Sequence, residues 1–84
     1  MHEIINNIDD YIHEIKEIVK NQNVSPIFIK TLIEGISSYV ATISAFSTEF
    51  YKQGFNTNDI DLVLEKLYTL ITVLEIKAEE LENK

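Results

Sequence analysis

The chain contains no cysteine and no arginine. Without cysteine, neither a disulfide framework nor a thiolate zinc site can staple its 84 residues, a length near the small end of what folds unaided. Oligomerisation is one of the few remaining stabilisers for so short a domain. Without arginine, the bidentate clamps that nucleic-acid binders place on phosphates are missing, and the lysines are scattered from Lys16 to Lys84. Fourteen acids against seven basic residues give a net charge of −7. Direct nucleic-acid binding is therefore not expected. The simpler reading of the charge is that it keeps a small domain soluble, and the other is that it steers the chain toward basic surfaces, including those of proteins that themselves bind nucleic acid.

Long apolar runs are also lacking. The longest uncharged stretch, Gly35 to Thr48, and the shorter apolar run Leu67 to Leu74 contain serines or threonines and fall short of the ~20 apolar residues of a membrane span. The first residues, Met1-His2-Glu3, are acidic, unlike a secretory signal. These features set the expectation of a cytoplasmic protein without a membrane span. Fourteen isoleucines and seven asparagines, with lysine used to the exclusion of arginine, are what AT-rich coding sequence gives, as in a low-GC bacterium or its phage.

Chemistry-bearing motifs are equally sparse. There is no thiol nucleophile, no Ser/His/acid arrangement and no glycine-rich phosphate loop. Asp9, Asp10, His13 and Glu17 have helical metal-ligand spacing, but the apolar pattern puts them opposite Ile8, Ile12 and Ile15, on a solvent face. Asn56, Asn58, Asp59 and Asp61 fail the calcium-loop pattern, since Asp61 stands where glycine is required and Leu67 where glutamate is. Helix capping accounts for them more simply. The expectation is no enzyme, no cofactor, no metal and no small-molecule substrate.

What the chain does contain is helical periodicity. Apolar residues are 45% and charged residues 25%, globular proportions that argue against disorder. The pattern predicts one helical domain, residues 1–84, with no internal repeat and no glycine-rich linker. Helix 1 is expected over Glu3 to Lys20, with a seam of Met1, Ile4, Ile8, Tyr11, Ile15 and Ile18, widened by Ile5, Ile12 and Val19. Asn21-Gln22-Asn23 interrupts it. Ser25 then offers an N-cap, Pro26 suits the first helical turn, and Val24 is placed to staple onto Ile29. Helix 2 is expected to run to about Gln53 with a seam of Ile29, Leu32, Ile36, Tyr39, Ile43, Phe46 and Phe50. Gly54 should end it in a left-handed cap with Phe55 against Phe50, and Asn56 or Thr57 should cap helix 3. Helix 3, about Asn58 to Glu82, carries a seam of Ile60, Leu64, Leu67, Ile71, Leu74, Ala78 and Leu81.

The fold class that follows is all-α, a three-helix bundle with a short helix 1 and a long helix 2/helix 3 hairpin, dimerising into a larger bundle. In an up-down-up arrangement helix 1 covers the first two-thirds of helix 2, leaving the end around Phe46, Phe50, Tyr51, Phe55 and Ile60 open. Apolar and small side chains also exceed one buried stripe per helix. On helix 2, Ser37, Ser38, Ala41, Ser44, Ala45 and Thr48 form a smooth strip where lysine and glutamate are usual. On helix 3, Leu62, Val73 and Ile76 lie off the main seam. With Tyr51 and Phe55 at the aromatic corner, these are the candidate interface residues, and Phe46 and Phe50 are expected to plug the core end.

Surplus apolar surface, negative charge and no reactive constellation favour a small acidic adaptor or inhibitor that occupies a partner protein's surface. The alternatives are a structural homodimer, in which the Ser/Ala strip and the Leu62/Val73/Ile76 face bury each other across a two-fold axis, and a peptide binder. For the last, bacteriocin immunity proteins and secretion chaperones offer an architectural analogy alone.

Overall fold

A computed structural model describes residues 2–21 and 23–83, with side chains described for 7–20 and 23–83. Three helices follow one another: α1 (His2–Asn21), α2 (Pro26–Lys52) and α3 (Asn58–Glu82). Met1, Gln22, Lys84 and the side chains of residues 2–6 and 21 lie outside the described residues, and with them part of the expected helix 1 seam.

The helix boundaries are set by local chemistry. The Phe28 amide donates to the Ser25 hydroxyl (3.2 Å), Ser25 has extended backbone, and Pro26 opens the first turn of α2, where its missing N–H costs nothing. Val24 is partly buried on the core that contains Ile29. At the other end Gly54 adopts φ +88°, the Gly54 amide donates to the Tyr51 carbonyl and the Phe55 amide to the Phe50 carbonyl, each at 3.0 Å. That pair of bonds is a Schellman closure, and its accompanying contact sets the Phe55 ring edge-on to Phe50 with centroids 5.9 Å apart. Thr57 is the residue that precedes α3. Its side chain makes no capping bond, and Asn56 instead accepts from the Asn58 amide at 2.8 Å in an Asx turn.

α2 and α3 pack along their length as an antiparallel hairpin, tied at the open end by the Lys30–Glu82 ion pair. α1 lies against α3 and touches α2 only lightly. This corrects the expected cover of helix 2 by helix 1. The Asp9 carboxylate, expected on a solvated face, accepts from Lys66 on α3 at 2.7 Å.

The core is Ile8, Ile15 and Val19 from α1, Ile29, Ile36 and Val40 from α2, and Val63, Leu67, Leu70, Leu74 and Ala78 from α3. Each expected seam is therefore rotated by part of a turn. On α2 the inward row is Ile29, Ile36, Val40 and Ser47, while Tyr39, Phe46 and Phe50 face outward. On α1 Val19 is buried and Tyr11 and Ile18 are exposed. On α3 Val63 and Leu70 enter the core, and Ile60, Leu64 and Ile71 are half-buried. The physical reason is close approach. Val40 and Ser47 are small enough to let two long helices run side by side, whereas a row of phenylalanines would hold them apart.

Ser47 also has a polar reason to be inside. Its hydroxyl donates to Asp61 Oδ1 (3.1 Å), and Asp61 Oδ2 accepts from the Thr57 hydroxyl (3.1 Å). The buried Ser47 and Thr57 thus share one carboxylate that clasps the hairpin. A mid-helix serine usually bonds its own backbone, and Ser47 does not because a better acceptor arrives from the neighbouring helix.

The molecule is thin and long, with Cα extents of 49 × 20 × 14 Å and a radius of gyration of 14.5 Å. A compact chain of this length has a radius of gyration of about 12 Å. With only about two helix layers in its short dimensions, every helix keeps a wide face toward solvent.

Candidate functional site

Among the described residues, eleven hydrophobic side chains are buried and thirteen large ones are exposed. The exposed set is organised by helical spacing. Phe28, Gly35, Tyr39 and Phe46 recur seven, four and seven residues apart, which places them on one flank of α2. On α1, Tyr11 and Ile18 share a flank by the same rule. The two flanks face each other, since Ile8 and Tyr11 of α1 and Gly35, Ile36 and Tyr39 of α2 line a common groove. Its aromatic walls are open, with Tyr11 44% and Tyr39 47% exposed, and Phe46, farther along the α2 flank, is 57% exposed. Phe46 stacks on Phe50 with centroids 6.4 Å apart, and Phe50 meets Phe55, so an aromatic row continues from the groove to the hairpin corner.

Of the expected interface residues, Ser37, Ser38, Ala41, Ala45 and Thr48 are exposed and Ser44 is half-buried. They lie on the flank of α2 away from Tyr39 and hence away from α1. The Thr42 and Thr48 hydroxyls donate back to the Ser38 and Ser44 carbonyls, which consumes their polarity within the helix. Tyr51 and Phe55 are exposed at 75% and 60%. Leu62, Val73 and Ile76 are exposed on α3, but Val73 lines a groove with Lys16, Val19 and Lys20 of α1. The Ser/Ala strip and the Leu62/Val73/Ile76 group thus belong to different faces, and the structure does not bring them together.

Sequence reasoning assigned Tyr11, Ile18, Tyr39, Phe46 and Phe50 to the core, so it missed the α1/α2 groove. The signal that finds it is a second i, i+7 row on α2, Ile29-Ile36 continuing through Val40 to Ser47. This row is less apolar but smaller, and it competes with the aromatic one for the inward position.

Charges divide the same way. Lys16, Lys20 and Lys77 line the α1/α3 seam, where Lys66 pairs with Asp9. Lys30 is held by Glu82, and Lys52 lies 3.6 Å from Glu49. Asp10 and Glu14, both exposed, neighbour the Tyr11/Ile18 row of α1 on the side away from Lys16 and Lys20. The groove lining itself is uncharged, and none of the described lysines is part of it.

Asp9, Asp10, His13 and Glu17 do not converge: among the described residues no three acidic or imidazole side chains are placed to share an ion. By length and composition α2 is apolar enough to cross a membrane, reaching a mean hydropathy of 1.2 over an 18-residue window, although its uncharged run is shorter. Only 17% of that window is buried within the chain.

Set against family models, curated proteins and solved structures, the chain matches none.

Proposed function

We propose that this chain is a non-enzymatic protein-protein interaction module, a small acidic helical adaptor or inhibitor that acts by covering a surface of a partner protein. The observation that carries this reading is surplus surface. A compact protein of 9.7 kDa exposes about 5,100 Å². This chain exposes 6004 Å². The excess, roughly 900 Å², is close to the ~800 Å² that each side contributes to a standard interface. Its composition supports the same reading, because exposed tyrosine and phenylalanine are the residues that anchor interfaces and rarely stand in rows on a lone monomer.

The alternative is a homodimer through the Ser/Ala strip of α2, which is favoured by the absence of charge along Ser37, Ser38, Ala41, Ser44, Ala45 and Thr48. Sedimentation at micromolar concentration separates the two. A dimer that Ala41→Glu or Ser44→Glu converts to monomer, with helix content unchanged by circular dichroism, establishes the alternative. For the adaptor reading, cross-linking mass spectrometry on a tagged copy in its own cells should recover one defined protein joined through α1 or α2. A monomer giving intramolecular cross-links alone refutes both.

A further inference from the structure

Resting on the reading of the chain as a contact module, we infer that the α1/α2 groove is its docking site and that the occupant is a basic amphipathic helix of another protein. Three observations converge on this. The groove is walled by apolar side chains from two helices that barely touch each other, so a third helix laid between them completes a four-helix arrangement. On α1 the exposed Asp10 and Glu14 neighbour the Tyr11/Ile18 row, while Lys16, Lys20, Lys66 and Lys77 are drawn to the opposite seam. A second copy of a chain with net charge −7 meets like charge there, whereas a helix with lysine or arginine beside its apolar stripe meets the opposite sign.

The third observation is Gly35. A glycine in a helix interior is unfavourable by roughly 0.5–1 kcal/mol relative to alanine. Nothing among the described residues requires it, since a Cβ built there meets no atom within 4 Å and its backbone φ is not positive. The missing side chain belongs to the groove lining, one turn before Tyr39 and two turns after Phe28 on the same flank, and lets an outside backbone come close. From Phe28 to Phe46 the row runs about 27 Å, the length of a helix of five turns.

The test uses a fluorescent peptide of about 18 residues in which leucines follow the i, i+3, i+4, i+7 spacing and every other position is lysine or alanine, read by anisotropy at physiological salt. Saturable one-to-one binding is expected. A twin with glutamate for lysine, and a scrambled peptide of the same composition without the stripe, should each bind at least about tenfold more weakly. Gly35→Arg, which fills the groove and repels a cation while adding helix propensity, should lower affinity about tenfold at an unchanged or higher melting temperature. Phe46→Ser and the pair Asp10→Lys with Glu14→Lys should each lower it several-fold, and Ala41→Arg on the far flank of α2 should not. Equal binding of the scrambled peptide, insensitivity to Gly35→Arg, or a chain that floats with neutral phosphatidylcholine vesicles through α2 overturns the proposal. If the cellular cross-links instead map to Ala41 and Ser44 and persist in Gly35→Arg, the groove assignment fails while the contact-module reading stands.

Discussion

α1 meets its two neighbours in opposite ways. Against α3 it buries Ile15 and Val19, pairs Asp9 with Lys66 and gathers lysines along the seam. Against α2 it leaves a groove lined by Ile8, Tyr11, Gly35, Ile36 and Tyr39, with Phe46 exposed farther along the same flank of α2. One seam is finished by the chain itself and the other is not. The difference teaches that apolar content alone does not say where a core is, because the larger side chains of α2 are on the unfinished side and the smaller ones make the hairpin.

This contrast can be broken by paired substitutions. The largest effect is expected from Leu70→Ala. Leu70 is fully buried in the same row of α3 as Lys66 and Val73, and its truncation should cost about 2–5 kcal/mol, lowering the melting temperature by about 4–8 °C for each kcal/mol. Phe46→Ala removes a larger side chain from the exposed flank of α2, yet should shift stability by about 0.5 kcal/mol or less. Similar losses for the two, measured by thermal circular dichroism, erase the distinction between the seams.

Ser47→Ala removes one donor to Asp61 in the hairpin clasp and should cost about 1 kcal/mol in urea unfolding, with the slope unchanged. Gly35→Ala should act in the other direction. Open space surrounds its new methyl group, so gained helix propensity raises stability by about 0.5–1 kcal/mol. A loss there means the groove is narrower than it stands here. The smallest effect is expected at the finished seam's surface. Asp9→Ala should cost at most about 0.5 kcal/mol, and less in high salt, because both partners of the Asp9–Lys66 pair keep solvent contact.

Much of the architecture was legible beforehand, and the reasons are particular. Ser25-Pro26, Gly54-Phe55 and the break near Asn23 act through bonds spanning a few residues, so the extents of α2 and α3 follow from composition at those points. The all-α class and the short-long-long helix pattern follow from the same local signals. The rotation of each helix was not legible. On α2, two rows share Ile29 and Ile36 and then part, one through Val40 to Ser47 and one through Tyr39 to Phe46. Hydrophobicity favours the second, while interhelical distance and a carboxylate fourteen residues away select the first. Part of the candidate site was therefore assigned to the interior. Tyr51 and Phe55 were placed on the surface correctly, because a tight corner leaves no neighbour to cover them.

The amino-acid order by itself determined three helices, their ends and the sign of the charge, since caps, turns and periodicity act within about one helical turn. Tertiary structure decided which row of α2 faces α3, and that α1 rests on α3 and leaves its other side open. Those choices depend on how closely two backbones can approach and on which polar group finds a partner across the gap, and neither is encoded within any single turn.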